Sequence, residues 1–213
     1  MKVIILAGGY GTRLSEYTKA IPKPMIDING KPMLYHIMKF YAKHGFKNFY
    51  IALGYKGEVI KKFFKKKSYG WKINLIETGK KTMTGGRLKR LKKYIGDEDF
   101  MLTYGDGVGD IDIPKLLDFH RSHGKVLTLS GVRPPGRFGE MISDNEGKLT
   151  EFNEKPQSER GRISGGFFVA KSELFDYLDD STNLVFEQEP IRKLVKDNQM
   201  MMYKHDGFWR CMD

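Results

Sequence analysis

The stretch Leu6-Ala-Gly-Gly-Tyr-Gly-Thr-Arg-Leu14 joins a glycine-rich turn to a hydroxyl and a guanidinium, and Lys23 follows between Pro22 and Pro24. Gly8, Gly9 and Gly11 let the backbone turn sharply and meet a ligand with bare N–H groups. Thr12 and Arg13 add a donor and a planar cation suited to phosphate oxygens. Asp106 stands between Gly105 and Gly107, where a carboxylate can project into an open crevice. Hard carboxylate oxygens are what Mg²⁺ takes alongside phosphate oxygens and water. This is chemistry for a polyphosphate. The same residues also suit plainer work, since glycine is the ordinary turn residue and Asp-Gly a common turn pair.

Several familiar motifs are excluded. A P-loop needs Gly, four residues, then Gly-Lys-Ser/Thr, and Lys23 comes too late for that. A dinucleotide fingerprint begun at Gly9 finds Gly11 but then Leu14 where its third glycine belongs. Asp106, Asp110 and Asp112 miss the calcium-loop spacing. His120 and His123 share a helix face without a third zinc ligand. Cys211 is the single cysteine, so no internal disulfide is possible.

The elements that must position these groups alternate along the chain. Val3–Leu6 is a short branched apolar run, expected to be a buried strand. A helix over Leu34, Ile37, Met38 and Tyr41 is expected between Pro32 and Gly45. Strands follow at 49–53 and 73–76 around a short helix at 59–64. A helix over 86–94 and a strand over 100–103 come next. Asp112 is set to cap a helix that ends at Gly124, and Val126–Val132 is another strand. The later chain predicts a β-hairpin at 141–152, a strand at 167–170, a helix capped by Ser172, a helix at 188–195 and a strand at 200–203. Strand–helix alternation implies a mainly parallel sheet in an α/β fold, with ligands outside the carboxyl ends of the strands. We expect one Rossmann-like domain over 1–213, with a nucleotide-binding half at 1–132 and a second half at 133–213 holding the hairpin.

The chain has 213 residues and a formal charge of +11. Lysines crowd at 61–67, 80–81 and 89–93. They read as a solvated face and an electrostatic funnel for an anionic substrate rather than a nucleic-acid surface, because no nucleic-acid module accompanies them. No segment approaches the roughly 18 apolar residues of a membrane span. The run after Lys2 is too short for a signal peptide, so a cytoplasmic protein with neither membrane nor nucleic-acid partner is expected.

With Pro22-Lys-Pro-Met25, the Leu6–Leu14 segment resembles the signature of the sugar-1-phosphate nucleotidylyltransferases. Thr82–Arg90, Thr103–Asp110, Pro134–Gly139, Glu154-Lys-Pro156, Gly165–Phe168, Glu187-Gln-Glu-Pro190 and Gly207–Asp213 are similar, in order, to segments of the glucose-1-phosphate cytidylyltransferases within that family. The resemblance implies CTP and a sugar 1-phosphate as substrates. Arg13, Lys23 and Asp106 would be catalytic, and Asp106 and Asp213 would hold Mg²⁺. Leu6, Ala7, Gly8, Gly9, Gly11, Thr12, Arg13, Lys23, Thr82, Gly86, Arg87 and Gly105 would bind the nucleotide. Glu154, Lys155, Gly165, Gly166, Glu189 and Trp209 would bind the sugar phosphate, although Trp209 also suits the core.

Lys23, flanked by prolines, is expected in a stiff, extended mount. Family chains run on past the aspartate at 213, so further residues are expected there. Between Phe64 and Ile73 the chain is shorter than in the glucose enzymes, where this segment helps subunits associate, which leaves homo-oligomerisation and the sugar open. Two other readings share these motifs. One is transfer to a different sugar or polyol phosphate, or from another nucleotide. The other is a regulatory homologue that binds nucleotide without turnover.

Overall fold

A computed structural model describes residues 1–10, 21–65, 67–134, 140–153 and 161–212. The run Val3–Leu6 lies inside β1 (Lys2–Leu6), an interior strand of a seven-stranded sheet. β1 is flanked by β4 (Asn48–Leu53) and β6 (Phe100–Tyr104), both parallel to it, and β5 (Lys72–Glu77) lies parallel beyond β4. On the other side β11 (Ile163–Ala170) runs antiparallel to β6 and to β8 (Leu127–Val132), and β12 (Met200–His205) pairs parallel with β8. The sheet is therefore mixed but mainly parallel, and strands from both halves of the sequence build it.

Alternate residues of β1 serve opposite cores. Val3 and Ile5 pack with α1 (Met33–Lys43), α2 (Gly57–Phe64) and α5 (Ile113–His123). Ile4 and Leu6 pack with Leu88 of α3 (Thr84–Lys89), Ile95 of α4 (Lys92–Ile95) and Leu194 of α6 (Glu189–Lys196). A strand covered on both faces must be apolar throughout, which is why it carries no alternation. In α1 the buried residues are Met33, Leu34, Ile37, Met38 and Tyr41, one stripe at helical spacing. The Asp112 side chain accepts from Lys115 N at the start of α5, and Gly124 closes it in the left-handed conformation.

Four expectations need correction. The helix expected over 86–94 is two pieces, α3 and α4. Leu91 N bonds Leu88 O at 3.0 Å, an i→i+3 closure that tightens the chain while Leu91 turns fully into the core. Ser172 caps nothing: its hydroxyl meets Glu173, and Ser172–Tyr177 is a 3₁₀ turn after Lys171. Lys23 is not extended but opens a 3₁₀ turn, Lys23–Met25, because a proline ring at Pro24 is already set for helical φ. β11 begins four residues before the expected Phe167, with a register shift between Ser164 and Phe168.

Small sheets complete the molecule. β2 (Asp27–Ile28) pairs with β3 (Lys31–Pro32), and β7 (Gly107–Gly109) with β13 (Trp209–Cys211). β9 (Glu140–Ser143) and β10 (Leu149–Asn153) form the expected hairpin. Among the described residues, no helix is long and apolar enough to cross a membrane.

Candidate active site

Because β6, β1, β4 and β5 are neighbours and parallel, their carboxyl ends share one edge of the sheet. A cleft of about 390 Å³ opens there. β1 delivers Leu6, Ala7, Gly8 and Gly9 to it, and β6 delivers Tyr104, Gly105 and Asp106. Lys23, Pro24, Thr82 and Arg87 complete the part of the lining expected from sequence or adjoining it.

At this cleft Lys23 Nζ lies 2.9 Å from Asp106 Oδ2. The lysine side chain is 9% exposed and the aspartate 34%, so the ammonium is embedded in the wall while the carboxylate reaches solvent. The 3₁₀ turn aims the lysine, and Pro24 packs close to Gly105, where any side chain would strike its ring. A cation and a carboxylate held together at a Gly-rich edge can receive a phosphate on one side and a hard metal ion on the other.

Arg87 is buried, not a helix-surface cation. Its guanidinium donates to the carbonyls of Gly8 (2.7 Å), Leu53 (3.0 Å), Gly79 (2.7 Å) and Lys80 (3.3 Å) and to Thr78 Oγ1 (2.9 Å). One side chain thus ties together the ends of β1, β4 and β5. Burial pushes its pKa below the ordinary value, with the neighbouring Arg90 acting in the same sense. Gly8 O also accepts from Tyr55 N at 3.1 Å, which fixes the turn from a second side.

The first turn of α3 and the residue before it are held by the chain around 181–184. Met83 N bonds Thr182 O, and Gly85 N and Gly86 N bond Leu184 O. A side chain at Gly86 would strike the Ser181 carbonyl, so its glycine serves this docking. Thr82 Oγ1 accepts from Arg90 at 2.8 Å. Thr84, which also lines the cleft, donates to Glu187 Oε2 at 2.6 Å, and the Tyr104 hydroxyl donates to Glu187 Oε1. Burial first, then the Glu187 charge, pushes the Tyr104 hydroxyl up, so it stays protonated and donating.

Glu189, expected at the sugar pocket, stands in the exposed first turn of α6 and lies 3.8 Å from Lys193. Glu187 is the carboxylate of this motif that meets two cleft-lining side chains. Pro190 gave a signal for this, since a proline in the first turn assigns Glu189 to the helix start. Gly166 has φ +75°, and a side chain there would enter the Tyr104 ring. Trp209 belongs to the core and donates from Nε1 to Gly165 O at 2.8 Å, which makes it a support of the glycine pair. Tyr10, Met83, Thr84, Tyr104 and Glu187 were not anticipated. Gly11, Thr12, Arg13, Glu154, Lys155 and Asp213 lie outside the described residues.

The chain belongs to the nucleotidyl transferase family, whose model matches residues 2–211. It is 44% identical to the glucose-1-phosphate cytidylyltransferase of Salmonella typhimurium over 236 aligned positions that take in 100% of this chain and 91% of the relative. It is 42% identical to a probable glucose-1-phosphate cytidylyltransferase of Bacillus subtilis, again over 100% and 91% of the two chains. The alignment to the Salmonella protein is longer than the 213-residue chain, so that relative carries residues this one lacks. In fold, the crystal structure of HddC from Yersinia pseudotuberculosis complexed with GMP-PN superposes with a TM-score of 0.77 at 27% identity, over 99% of this chain and 92% of that one.

Proposed function

We propose that the protein transfers a cytidylyl group from CTP to α-D-glucose 1-phosphate, giving CDP-glucose and pyrophosphate. The observation that carries this reading is the Lys23–Asp106 pair set beside the Gly8 turn at the carboxyl edge, in a chain alike along its whole length to glucose-1-phosphate cytidylyltransferases. A phosphate oxygen of the sugar substrate attacks the α-phosphorus of CTP in line. The bond from that phosphorus to the bridging oxygen breaks, and pyrophosphate leaves with the electron pair. The nucleophile is already anionic, so no covalent intermediate with the protein and no general base is needed.

The protein then works by positioning and charge neutralisation. The backbone of the Gly8 turn meets the nucleotide's phosphates, with Gly11, Thr12 and Arg13 continuing that contact. Lys23 and Arg13 stabilise the charge that grows on the departing pyrophosphate. Arg87, with its donors directed to carbonyls, holds the turn in shape, and Thr82 and Gly86 stand in the segment assigned to the base. Glu154 and Lys155 grip the sugar phosphate, a lysine acting there as a point charge.

The site fits Mg²⁺ in the chemistry of its donors. Asp106 offers a hard oxygen to the cleft, and substrate phosphates and water can fill the remaining positions. No group of three or more His, Cys, Asp or Glu side chains forms a protein-only cage among the described residues. Asp106, with Asp213, would hold the ion. When bound it supplies charge neutralisation at the α-phosphate.

The test is pyrophosphate release by the full chain with Mg²⁺ and glucose 1-phosphate, each of four nucleoside triphosphates being offered. Release with CTP alone, dependent on both substrates, is expected. Release only with another sugar phosphate or nucleotide would redirect the specificity. CTP binding without any turnover would make the protein a nucleotide-binding regulator.

A further inference from the structure

We propose that Arg90 is a positioning residue for base recognition, because it binds the Thr82 hydroxyl as a donor and leaves that hydroxyl to donate in turn to the base. The inference rests on the reading of Thr82 as part of the base site, and it names the feature of the base that is read there.

Thr82 stands two residues before α3 and Arg90 directly after it. Thr82 lines the cleft and is 5% exposed. Arg90 Nη1 donates to Thr82 Oγ1 at 2.8 Å and also to the Thr78 carbonyl. Gly79 makes room for this contact. It has φ +91°, and a Cβ there would lie 2.6 Å from both Arg90 Nη1 and Thr82 Oγ1. The left-handed backbone and the close approach both call for glycine at that point. Arg90 thus joins the segment after β5 to the residue that faces the cleft.

A guanidinium has donors and no acceptor, whereas a hydroxyl has one proton and two lone pairs. Arg90 therefore occupies a lone pair of Thr82. Among the described residues no other group bonds Thr82 Oγ1, so its proton is left for a ligand. A hydroxyl that accepts from a cation is polarised, and it donates more strongly and accepts less well. Such a group prefers an acceptor on the base. Cytosine offers one at ring N3, where uracil carries an N–H, while both bases have the same O2. The arrangement favours cytosine over uracil through the polarity of one hydrogen bond. Arg90 sets that polarity without touching the nucleotide.

Equilibrium titrations of CTP and UTP, each with Mg²⁺, into the full chain read this preference. Wild type is expected to bind CTP at least about tenfold more tightly than UTP, the scale of a matched hydrogen bond set against an unmatched donor. Arg90→Met is expected to narrow that ratio about fivefold, chiefly by weakening CTP. Thr82→Val leaves Arg90 in place and should narrow the ratio at least as far, so it decides the matter should Arg90→Met fail to fold. Adding Arg90→Met to Thr82→Val should narrow the ratio no further, because the two residues act through one contact. An Arg90→Met variant that weakens both nucleotides alike would make Arg90 a structural tie and overturn the proposal. An unchanged ratio in Thr82→Val, further narrowing in the double variant, or equal binding of CTP and UTP by wild type would overturn it as well. Pyrophosphate release by wild type tests the transfer reading separately. If the wild type is silent, that reading falls, and the titrations still decide the role of Arg90.

Discussion

The guanidinium of Arg87 occupies the space where a side chain at Gly8 would have to go, and it donates to the Gly8 carbonyl at 2.7 Å. The glycine is needed here for close approach, because an arginine held by five acceptors can yield only by giving up those hydrogen bonds. Gly54 meets the same guanidinium in the same way. The first turn of the site, the end of β4 and α3 are therefore one unit.

Gly8→Ala is expected to displace Arg87 and distort the turn, and Arg87→Ala to leave several buried carbonyls without their donor. For Arg87→Ala a loss of about 3 kcal/mol is expected, from unsatisfied buried acceptors. In a domain of this size that lowers Tm by roughly 6–12 °C. Calorimetry checks it, and CTP titration of the folded variant should show weakened binding. A variant as stable as wild type would mean that Arg87 is not the tie described.

Asp106→Asn is expected to keep the fold and lose nearly all turnover, on the order of 10²-fold or more, the scale for removing one charge-stabilising group from a transition state. Pyrophosphate release measures the loss, and the far-ultraviolet circular dichroism spectrum checks the fold. Turnover near wild type would remove Asp106 from the proposed metal and phosphate site. Lys23→Met, which keeps the bulk of the embedded stem, should lower kcat by a similar factor.

The two carboxylates of Glu187-Gln-Glu-Pro190 can be separated. Glu187→Gln weakens the hydrogen bonds to Tyr104 and Thr84, both on the cleft wall, whereas Glu189, among the described residues, pairs with Lys193 across one exposed helix turn. Glu187→Gln should cost roughly tenfold in kcat/KM, as expected for weakening a charge-assisted hydrogen bond. Glu189→Gln should change it less than twofold, as for an exposed i,i+4 pair. The reverse order in steady-state kinetics would restore Glu189 to the sugar pocket.

Sequence legibility followed the range of the interactions. The Val3–Leu6 run, the α1 stripe and the Asp112 and Gly124 caps are local signals, and the strands and helices they imply are present. Their alternation sufficed to place Gly8 and Asp106 at one edge of a mainly parallel sheet. The burial of Arg87 was hidden because its acceptors come from Gly8, Leu53, Thr78, Gly79 and Lys80, which only the assembled sheet collects. Tyr104 and Glu187 meet across 83 positions of sequence, and nothing local marks the pairing. The β7–β13 sheet has three residues on each side and glycines in β7, too little for any period to show.

Acid stability turns on His120 and His123, the pair on one face of α5. His120 Nδ1 and His123 Nε2 both lie 2.8 Å from Thr128 Oγ1, and His120 is 1% exposed. Burial, followed by the nearby charges of His123, Lys171 and Arg121, pushes the His120 pKa from 6.5 down to about 4. His123 is shifted in the same direction, also mainly by burial. The folded chain therefore resists a proton that the unfolded chain accepts. Full stability holds above the unfolded value of 6.5 and declines as pH falls from there toward about 4, where the folded form also protonates. By pH 4.5 the loss from His120 should be on the order of 2 kcal/mol. His120→Gln cannot titrate, so its stability, measured by urea denaturation between pH 7 and 4.5, should fall less steeply than that of wild type. Parallel slopes for the two proteins would mean that His120 does not set the acid limit.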